Sequence, residues 1–474
     1  MDHVEQTSRT PAGRRRRRGA RTAMAALVGL ALLAGACSSG ERSEAVDTGD
    51  TTAPDTSAQG DATFGDLASP CGPGDASGAT DQGVTDTSIT IGYGDDAGYQ
   101  PAPGLSAEMS QAMEAMIDWC NEQGGINGRE VVGNYYDAAV TEVSRAMTDA
   151  CDQVFMLVGQ GWVFDSGQEE IRRGCGLSSI PGYAVSPQFS NAPDMFQAAP
   201  NPVDVTSVQI AAAFQRLFPE EITKTAVVYA DYPATRDTKD KVLQSYPEFG
   251  FEFLECPQIY GIAGEADWKP LAQKLQDCGA EVVYFSGSAY PNFQNFLEAA
   301  DQVGYRPLWI TDANNYDESF ALWNVNGYAD DVYLRAIYVP LFEADASAGT
   351  QAYLDVMEAA GGEANQLGQQ SASAFLLWAT AAQACGSDLT RACVMDQVSG
   401  VHDWTGGGMH APGDTGENLP SDCGMVLKLD GTEFVRVDPE GVGEFDCDPS
   451  YVVPVSGPVV DQANLDADRI SQLG

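Results

Sequence analysis

Strict alternation of strand-like and helix-like segments constrains this chain more than any single motif in it. Between Cys151 and Pro187 the sequence passes through an apolar run at 154–158 and a Gly-rich loop, Gly159-Gln160-Gly161-Trp162. A segment of helical composition at 165–175 and a second short apolar run at 180–185 follow. Strand, loop, helix, strand is a parallel βαβ unit, because parallel neighbours need a long crossover and the crossover covers a face of the sheet. Ligands meet such units on the loops at the carboxyl ends of the strands. Upstream, Ile89-Thr90-Ile91-Gly92 reads as a strand. Met109, Met113, Met116, Ile117 and Cys120 then form a 3.6-residue stripe. Glycines and asparagines at 121–128 stop that helix; 131–136 is a strand, and Val143, Met147, Ala150 and Cys151 mark the next helix.

From about 201 the alternation starts afresh. Helices are expected at 208–218, along Trp268, Leu271, Leu275 and Cys278, and at 293–303; strands at 225–230, 251–254, 282–285 and 308–310. A later helix covers 375–384, and 426–437 reads as a hairpin turning at Asp430-Gly431. Two successive blocks, each long enough for its own core, predict an α/β protein with two doubly wound parallel-sheet lobes.

The first 36 residues are an address rather than structure. Arg14 to Arg18 and Arg21 give a positive start, and residues 24–36 are an apolar run too short to span a bilayer comfortably. Small residues lead directly to Cys37, as in a lipoprotein signal in which Cys37 becomes the lipidated N-terminus, although Ala34 stands where that signal prefers Leu. The alternative is an ordinary secretory signal with a chance cysteine. Residues 37–83 are rich in Ser, Thr, Gly, Asp and Ala and read as a flexible tether. Without residues 1–36 the chain carries 18 Lys and Arg against 66 Asp and Glu, a net of −48. Such a surface repels nucleic acid and anionic lipid head groups, so only the lipid anchor would hold it at a membrane. The expected location is extracytoplasmic, on the outer face of the cell membrane.

Eleven cysteines less Cys37 leave ten, an even number in an oxidising compartment. Chain position suggests Cys71–Cys120, Cys151–Cys175, Cys256–Cys278, Cys385–Cys393 and Cys423–Cys447, while other connectivities stay open to the sequence. Metal ligation is the rival use, but there is no two-residue CxxC spacing and the mature chain has only His402 and His410. No metal or cofactor is expected.

The order of segments resembles the type I periplasmic solute-binding proteins of ABC importers, in the branched-chain amino acid and amide binding group. Ile89-Thr90-Ile91-Gly92, the turn Gly124-Gly125-Ile126-Asn127-Gly128, Tyr136-Asp137, Val158-Gly159 and Ser186-Pro187 carry the resemblance. Val228-Tyr229-Ala230-Asp231 and Gln302-Val303-Gly304-Tyr305 continue it. The resemblance implies two lobes joined by a crossover hinge that close on a small molecule and are then read by a permease. It divides the chain into a first part of lobe 1 at 84–203, lobe 2 at 204–340 and a return to lobe 1 at 341–417. A lobe 2 hairpin at 418–448 and a C-terminal extension at 449–474 complete it.

On that resemblance the ligand loops hold Tyr93, Asp95, Tyr99, Trp162, Asp165, Ser166, Tyr183, Ala184 and Val185 from lobe 1. Asp231, Tyr232, Tyr290, Asp312, Asn314 and Asn315 come from lobe 2. For amino acids the family holds the carboxylate with hydroxyl and backbone N–H donors and the ammonium with an acidic residue of lobe 2. Here Trp162-Val163-Phe164-Asp165-Ser166 replaces a Ser-rich loop and Val185 stands where Thr often follows Ala, which implies a flatter, more aromatic pocket. Bland readings stand beside these: Trp162 as a plug in the lobe, Asp95 and Asp96 as a solvated turn, Tyr232 packed under its loop, the Met stripe as core, and His402 and His410 as surface residues. Thr405-Gly406-Gly407-Gly408 has neither the preceding strand nor the following Lys of a phosphate loop.

An enzyme reading needs a nucleophile, a base and an orienting partner. Two histidines, both near a Gly-rich loop, and no Gly-x-Ser-x-Gly elbow offer no such set. The function expected is therefore capture of a small polar metabolite (an amino acid, amide or aromatic carboxylate) for an ABC importer. The alternatives are a ligand-sensing lipoprotein that reports to a signalling receptor and, behind it, a secreted hydrolase.

Overall fold

The computed structural model describes residues 62–457 apart from residue 168. The signal segment, Cys37, the first part of the expected tether and residues 458–474 lie outside the described residues. The tether expected over 37–83 is not continuous: from residue 62 the chain is packed against the first lobe. Strands β1 (Thr63–Phe64) and β2 (Leu67–Ala68) pair as a small hairpin. Phe64 is buried, with its ring edge-on to Trp119 at 5.4 Å. The N–H groups of Gly72 and Ala76 bond the carbonyls of Gly125 and Asn127, and Cys71 is disulfide-bonded to Cys120. One buried ring, a covalent tie and backbone pairing order a stretch whose composition alone suggests none.

That pairing gives the Gly124–Gly128 turn its physical reason. Gly124, Gly125, Asn127 and Gly128 have φ of 110°, 73°, 51° and 86°. A Cβ at Gly128 would stand 2.4 Å from the Gly74 carbonyl oxygen, so a side chain is excluded by the backbone that lies over it.

Lobe 1 is built on a four-stranded parallel sheet of β3 (Ser88–Asp95), β4 (Glu130–Asp137), β5 (Leu157–Val158) and β6 (Ser179–Ile180), in the order β4-β3-β5-β6. The Met stripe of helix Ala107–Glu122 is core, packed with helix Gln366–Cys385, which returns to this lobe from far along the chain. The chain then crosses through β7 (Val205–Ser207).

Lobe 2 has its own sheet: β8 (Thr225–Ala230), β9 (Gln258–Tyr260), β10 (Val282–Ser286), β11 (Leu308–Thr311) and β12 (Val332–Ala336) run parallel. β13 (Cys423–Asp430) and β14 (Glu433–Asp438) add an antiparallel hairpin, and β15 (Asp446–Cys447) pairs with β13. The order is β14-β13-β12-β11-β10-β8-β9. β16 (Val452–Pro454) pairs antiparallel with β7. The strand expected at 251–254 is displaced to β9; Phe251 and Phe253 stack at 6.3 Å, and Phe251 packs in the layer between sheet and helices. Each lobe carries its own buried clusters.

The described cysteines form five disulfides, Cys71–Cys120, Cys151–Cys175, Cys256–Cys278, Cys385–Cys393 and Cys423–Cys447. Each closes a stretch of chain within one lobe. Among the described residues no helix is long and apolar enough to cross a membrane.

Candidate ligand-binding site

The carboxyl ends of both sheets face a cavity of about 390 Å3 lined by the two lobes and the crossovers. Parallel strands put their following loops at one rim, which is why residues far apart in sequence meet here. From lobe 1 come Tyr99 and Ser106 after β3, Val163 after β5, and Tyr183, Ala184 and Val185 after β6. From lobe 2 come Tyr232 after β8, Tyr290 after β10, and Asp312 and Asn314 after β11. Tyr290 is exposed at the mouth. Phe164 of lobe 1 and Tyr232 of lobe 2 touch across the cleft, their ring centroids 5.8 Å apart.

Eight of the residues expected from sequence line this cavity: Tyr99, Tyr183, Ala184, Val185, Tyr232, Tyr290, Asp312 and Asn314. The remainder do not, for identifiable reasons. Tyr93 is in the lobe 1 core, where its hydroxyl donates to Glu114 Oε1 at 3.1 Å. Asp95 and Asp96 are buried rather than a solvated turn. Asp95 Oδ1 accepts from the Tyr135 hydroxyl at 2.6 Å and from Ala97 N at 3.0 Å. Trp162 is a plug, 1% exposed, packed with Tyr136, Met147 and Leu157. Asp165 turns away from the cavity to accept from Val185 N (2.7 Å) and Ser186 N (3.0 Å), and Ser166 follows it in a short 3-10 turn off the wall. Asp231 is on the surface, paired with Arg236. Asn315 is buried beneath the loop and donates to the Gly287 carbonyl. His410, expected at the surface, is buried against the Ser373 hydroxyl, and burial lowers its pKa to about 4, so it stays neutral; His402 is exposed beside Asp414.

Several lining groups escaped the sequence reading. Lys241 and Asp237, one turn apart on helix Pro233–Ser245, pair at 2.9 Å with side chains only 7% and 4% exposed, and Lys241 Nζ also donates to Asn201 Oδ1 of the crossover at 3.3 Å. Asp312, already named from the sequence, is half-buried and accepts from the Tyr284 hydroxyl (2.7 Å) and the Ser286 hydroxyl (2.8 Å). Burial raises its pKa while those hydrogen bonds oppose the rise. Arg335 of β12 lines the inner end. Two signals could have found these residues. Tyr284 and Ser286 alternate along β10 and therefore share one face, and Arg335 is the one charge in an otherwise uncharged strand.

Several polar atoms of the lining residues have no partner. Buried Gln197 Oε1, Ser207 Oγ, Arg335 Nε, Gln366 Oε1 and Gln370 Oε1 all belong to lining residues and have no hydrogen-bond partner. Such atoms are rare in folded proteins because each costs about 1–3 kcal/mol to desolvate. Among the described residues no cluster of His, Cys, Asp and Glu could hold a metal ion.

Comparison with known proteins bears on the same region. The family model described as "Periplasmic binding protein" matches residues 88–432. Among solved structures, a fatty acid ABC transporter substrate-binding protein from Thermomonospora curvata superposes with a TM-score of 0.61 at 14% identity, covering 84% of this chain and 100% of that one. A solute-binding protein of an ABC transporter from R. palustris, in complex with benzoate, gives 0.61 at 16% identity, with 76% and 98% covered. The branched-chain amino acid transporter substrate binding protein LivJ from Streptococcus pneumoniae, in complex with isoleucine, gives 0.58 at 14% identity, with 74% and 100% covered. No curated protein matches the chain.

Proposed function

Since this chain belongs to the periplasmic binding protein family, we propose that it captures a small solute between its lobes and delivers it to the permease of an ABC importer. The observation that carries this reading is the cavity of about 390 Å3 walled by both lobes, with unpartnered polar atoms along its lining. A solute that bonds both walls stabilises the closed arrangement over the open one by its differential affinity, and a permease can recognise the closed shape. The solute class is a small polar metabolite: an amino acid, an amide or an aromatic carboxylate. The relatives solved with isoleucine and with benzoate fall in the same range. The apolar run and small residues leading to Cys37 support attachment to the outer face of the cell membrane through a lipid on Cys37.

Thermal-shift screening of the mature chain against amino acids, amides, urea and aromatic carboxylates tests the reading. A ligand at about 100 times its Kd stabilises the folded state by roughly 2.7 kcal/mol. At least one class is expected to raise the melting temperature. Turnover of some compound, with no shift from any member of the panel, would replace solute capture by catalysis.

A further inference from the structure

Charge is divided unevenly around the cavity. On the lobe 1 wall three backbone N–H groups are already taken by carboxylates of that lobe. Val163 N donates to Asp96 Oδ2 at 2.7 Å, Val185 N to Asp165 Oδ2 at 2.7 Å, and Ser186 N to Asp165 Oδ1 at 3.0 Å. The unpartnered atoms on that side are the amide oxygens of Gln197, Gln366 and Gln370. An anionic ligand group placed there would meet buried carboxylates and acceptors.

The inner end differs, where the cavity enters the layer between the lobe 2 sheet and helices Gln209–Leu217 and Pro233–Ser245: the Asp312 carboxylate there is held by the Tyr284 and Ser286 hydroxyls, and a cation stands beside them. That cation, Arg335, projects into the cavity. Its Nη2 is fixed by the carbonyls of Ser421 (3.1 Å) and Cys423 (2.6 Å), while Nε has no partner and Nη1 donates no hydrogen bond among the described residues. Arginines with buried side chains elsewhere in the fold are satisfied. Arg172 pairs with Glu169 at 2.9 Å, Arg436 with Glu343 at 2.5 Å, and Arg129 spends its guanidinium on three backbone carbonyls. Arg335 alone of these faces a cavity, and among the described residues it has no carboxylate within ion-pair distance. Lys241, the other cation of the lining, is already neutralised by Asp237. Burial also lowers the Arg335 pKa to about 10, with Asp422 among the groups that oppose the fall. Beside it stand the rings of Tyr246 and Tyr284 and the apolar side chains Ile210, Val242 and Ile310.

Resting on the solute-capture reading, we infer that the ligand carries a carboxylate-class anionic group that docks on Arg335 at the inner end, with an apolar body along Ile210, Val242 and Ile310. A planar guanidinium with free donors matches a carboxylate in geometry as well as charge, and the pairing relieves a desolvated cation. The ligand thus enters anion first and places its other end toward Tyr290 at the mouth.

The test uses the mature chain, residues 37–474, and three matched probe sets. These are benzoate, phenylacetate and octanoate; the corresponding amides; and benzylamine with octylamine. Titration calorimetry is expected to show binding by at least one carboxylate and far weaker binding by its amide and amine. R335Q is expected to weaken the carboxylate by at least about 30-fold. R335K, which keeps the charge but loses the planar fork, is expected to lose affinity to an intermediate extent, so the inference does not depend on R335Q folding. Amides or amines that bind as tightly as the carboxylates, or an R335Q Kd equal to wild type, would overturn it while leaving solute capture standing. Silence from all three sets in the wild type would overturn the carboxylate inference, and a melting-temperature shift with an amino acid or urea would then show solute capture standing without it.

Discussion

Replacing Lys241 by Met removes one half of a buried ion pair beside the cavity and leaves the other half behind. Lys241 Nζ lies 2.9 Å from Asp237 Oδ2, and the two side chains are 7% and 4% exposed, so solvent can screen little of the interaction. Truncating one partner of such a pair costs about 3–5 kcal/mol, because the survivor keeps its desolvation without its counter-charge. Burial already raises the Asp237 pKa, with Lys241 as the chief opposing influence, and K241M removes that opposition. An acid raised in the folded state favours its protonated form there, so stability is fullest below the unfolded pKa and is lost as pH climbs toward the folded one. The K241M deficit should therefore be smaller at pH 5 than at pH 8. The double variant D237N/K241M removes both charges and should recover to within about 1.5 kcal/mol of wild type, since buried pairs exchange well for uncharged groups of similar volume. Urea unfolding of the mature chain with disulfides intact measures all four corners of the cycle. A K241M cost under about 1 kcal/mol, or a double variant no more stable than the single, would refute the claim that this pair is dry.

Two further outcomes follow from the geometry. The Phe164–Tyr232 contact is the ring pair that spans the cleft, and F164A is expected to remove about 0.5–1.5 kcal/mol of closure and to speed ligand release by roughly 2- to 12-fold. Stopped-flow dissociation reads this directly, and an unchanged off-rate would show that the rings do not gate the cavity. Burial lifts the fully buried Asp165 carboxyl to about 7, so its contribution is greatest below pH 4 and is lost as pH rises through 7. A shift of that size corresponds to about 4 kcal/mol, and the stability of wild type relative to D165N should fall by that order between pH 4 and pH 8. A pH-independent difference would mean that Asp165 is ionised in the fold at no cost.

Repetition was what the sequence could express. The 3.6-residue stripe from Met109 to Cys120, the apolar runs near 157 and 283, and the turn at Asp430-Gly431 each follow from local chemistry. So does the Gly124–Gly128 turn, where positive φ is a local demand. Loops after parallel strands are also legible, which is why Tyr183, Tyr232, Tyr290 and Asp312 could be named in advance. What the chain could not reveal is which way a side chain on such a loop turns. Asp165 and Asp95 sit in the right loops but fold back onto amides and hydroxyls of their own lobe, because a buried carboxylate takes the nearest donors. Trp162 likewise goes to the core, where its large apolar surface is best removed from water.

Lys241, Asn201 and Arg335 lie outside the ligand loops and met the cavity only when helix, crossover and strand were assembled. Alternation in the one-dimensional chain determines that there are two parallel-sheet lobes and which loops follow their strands, since the strand and helix periods are read over a few residues. Which sign the inner end of the cavity carries was decided in three dimensions. That sign depends on which charges find partners when distant segments pack, and Arg335 is the one left facing the cavity without an acid.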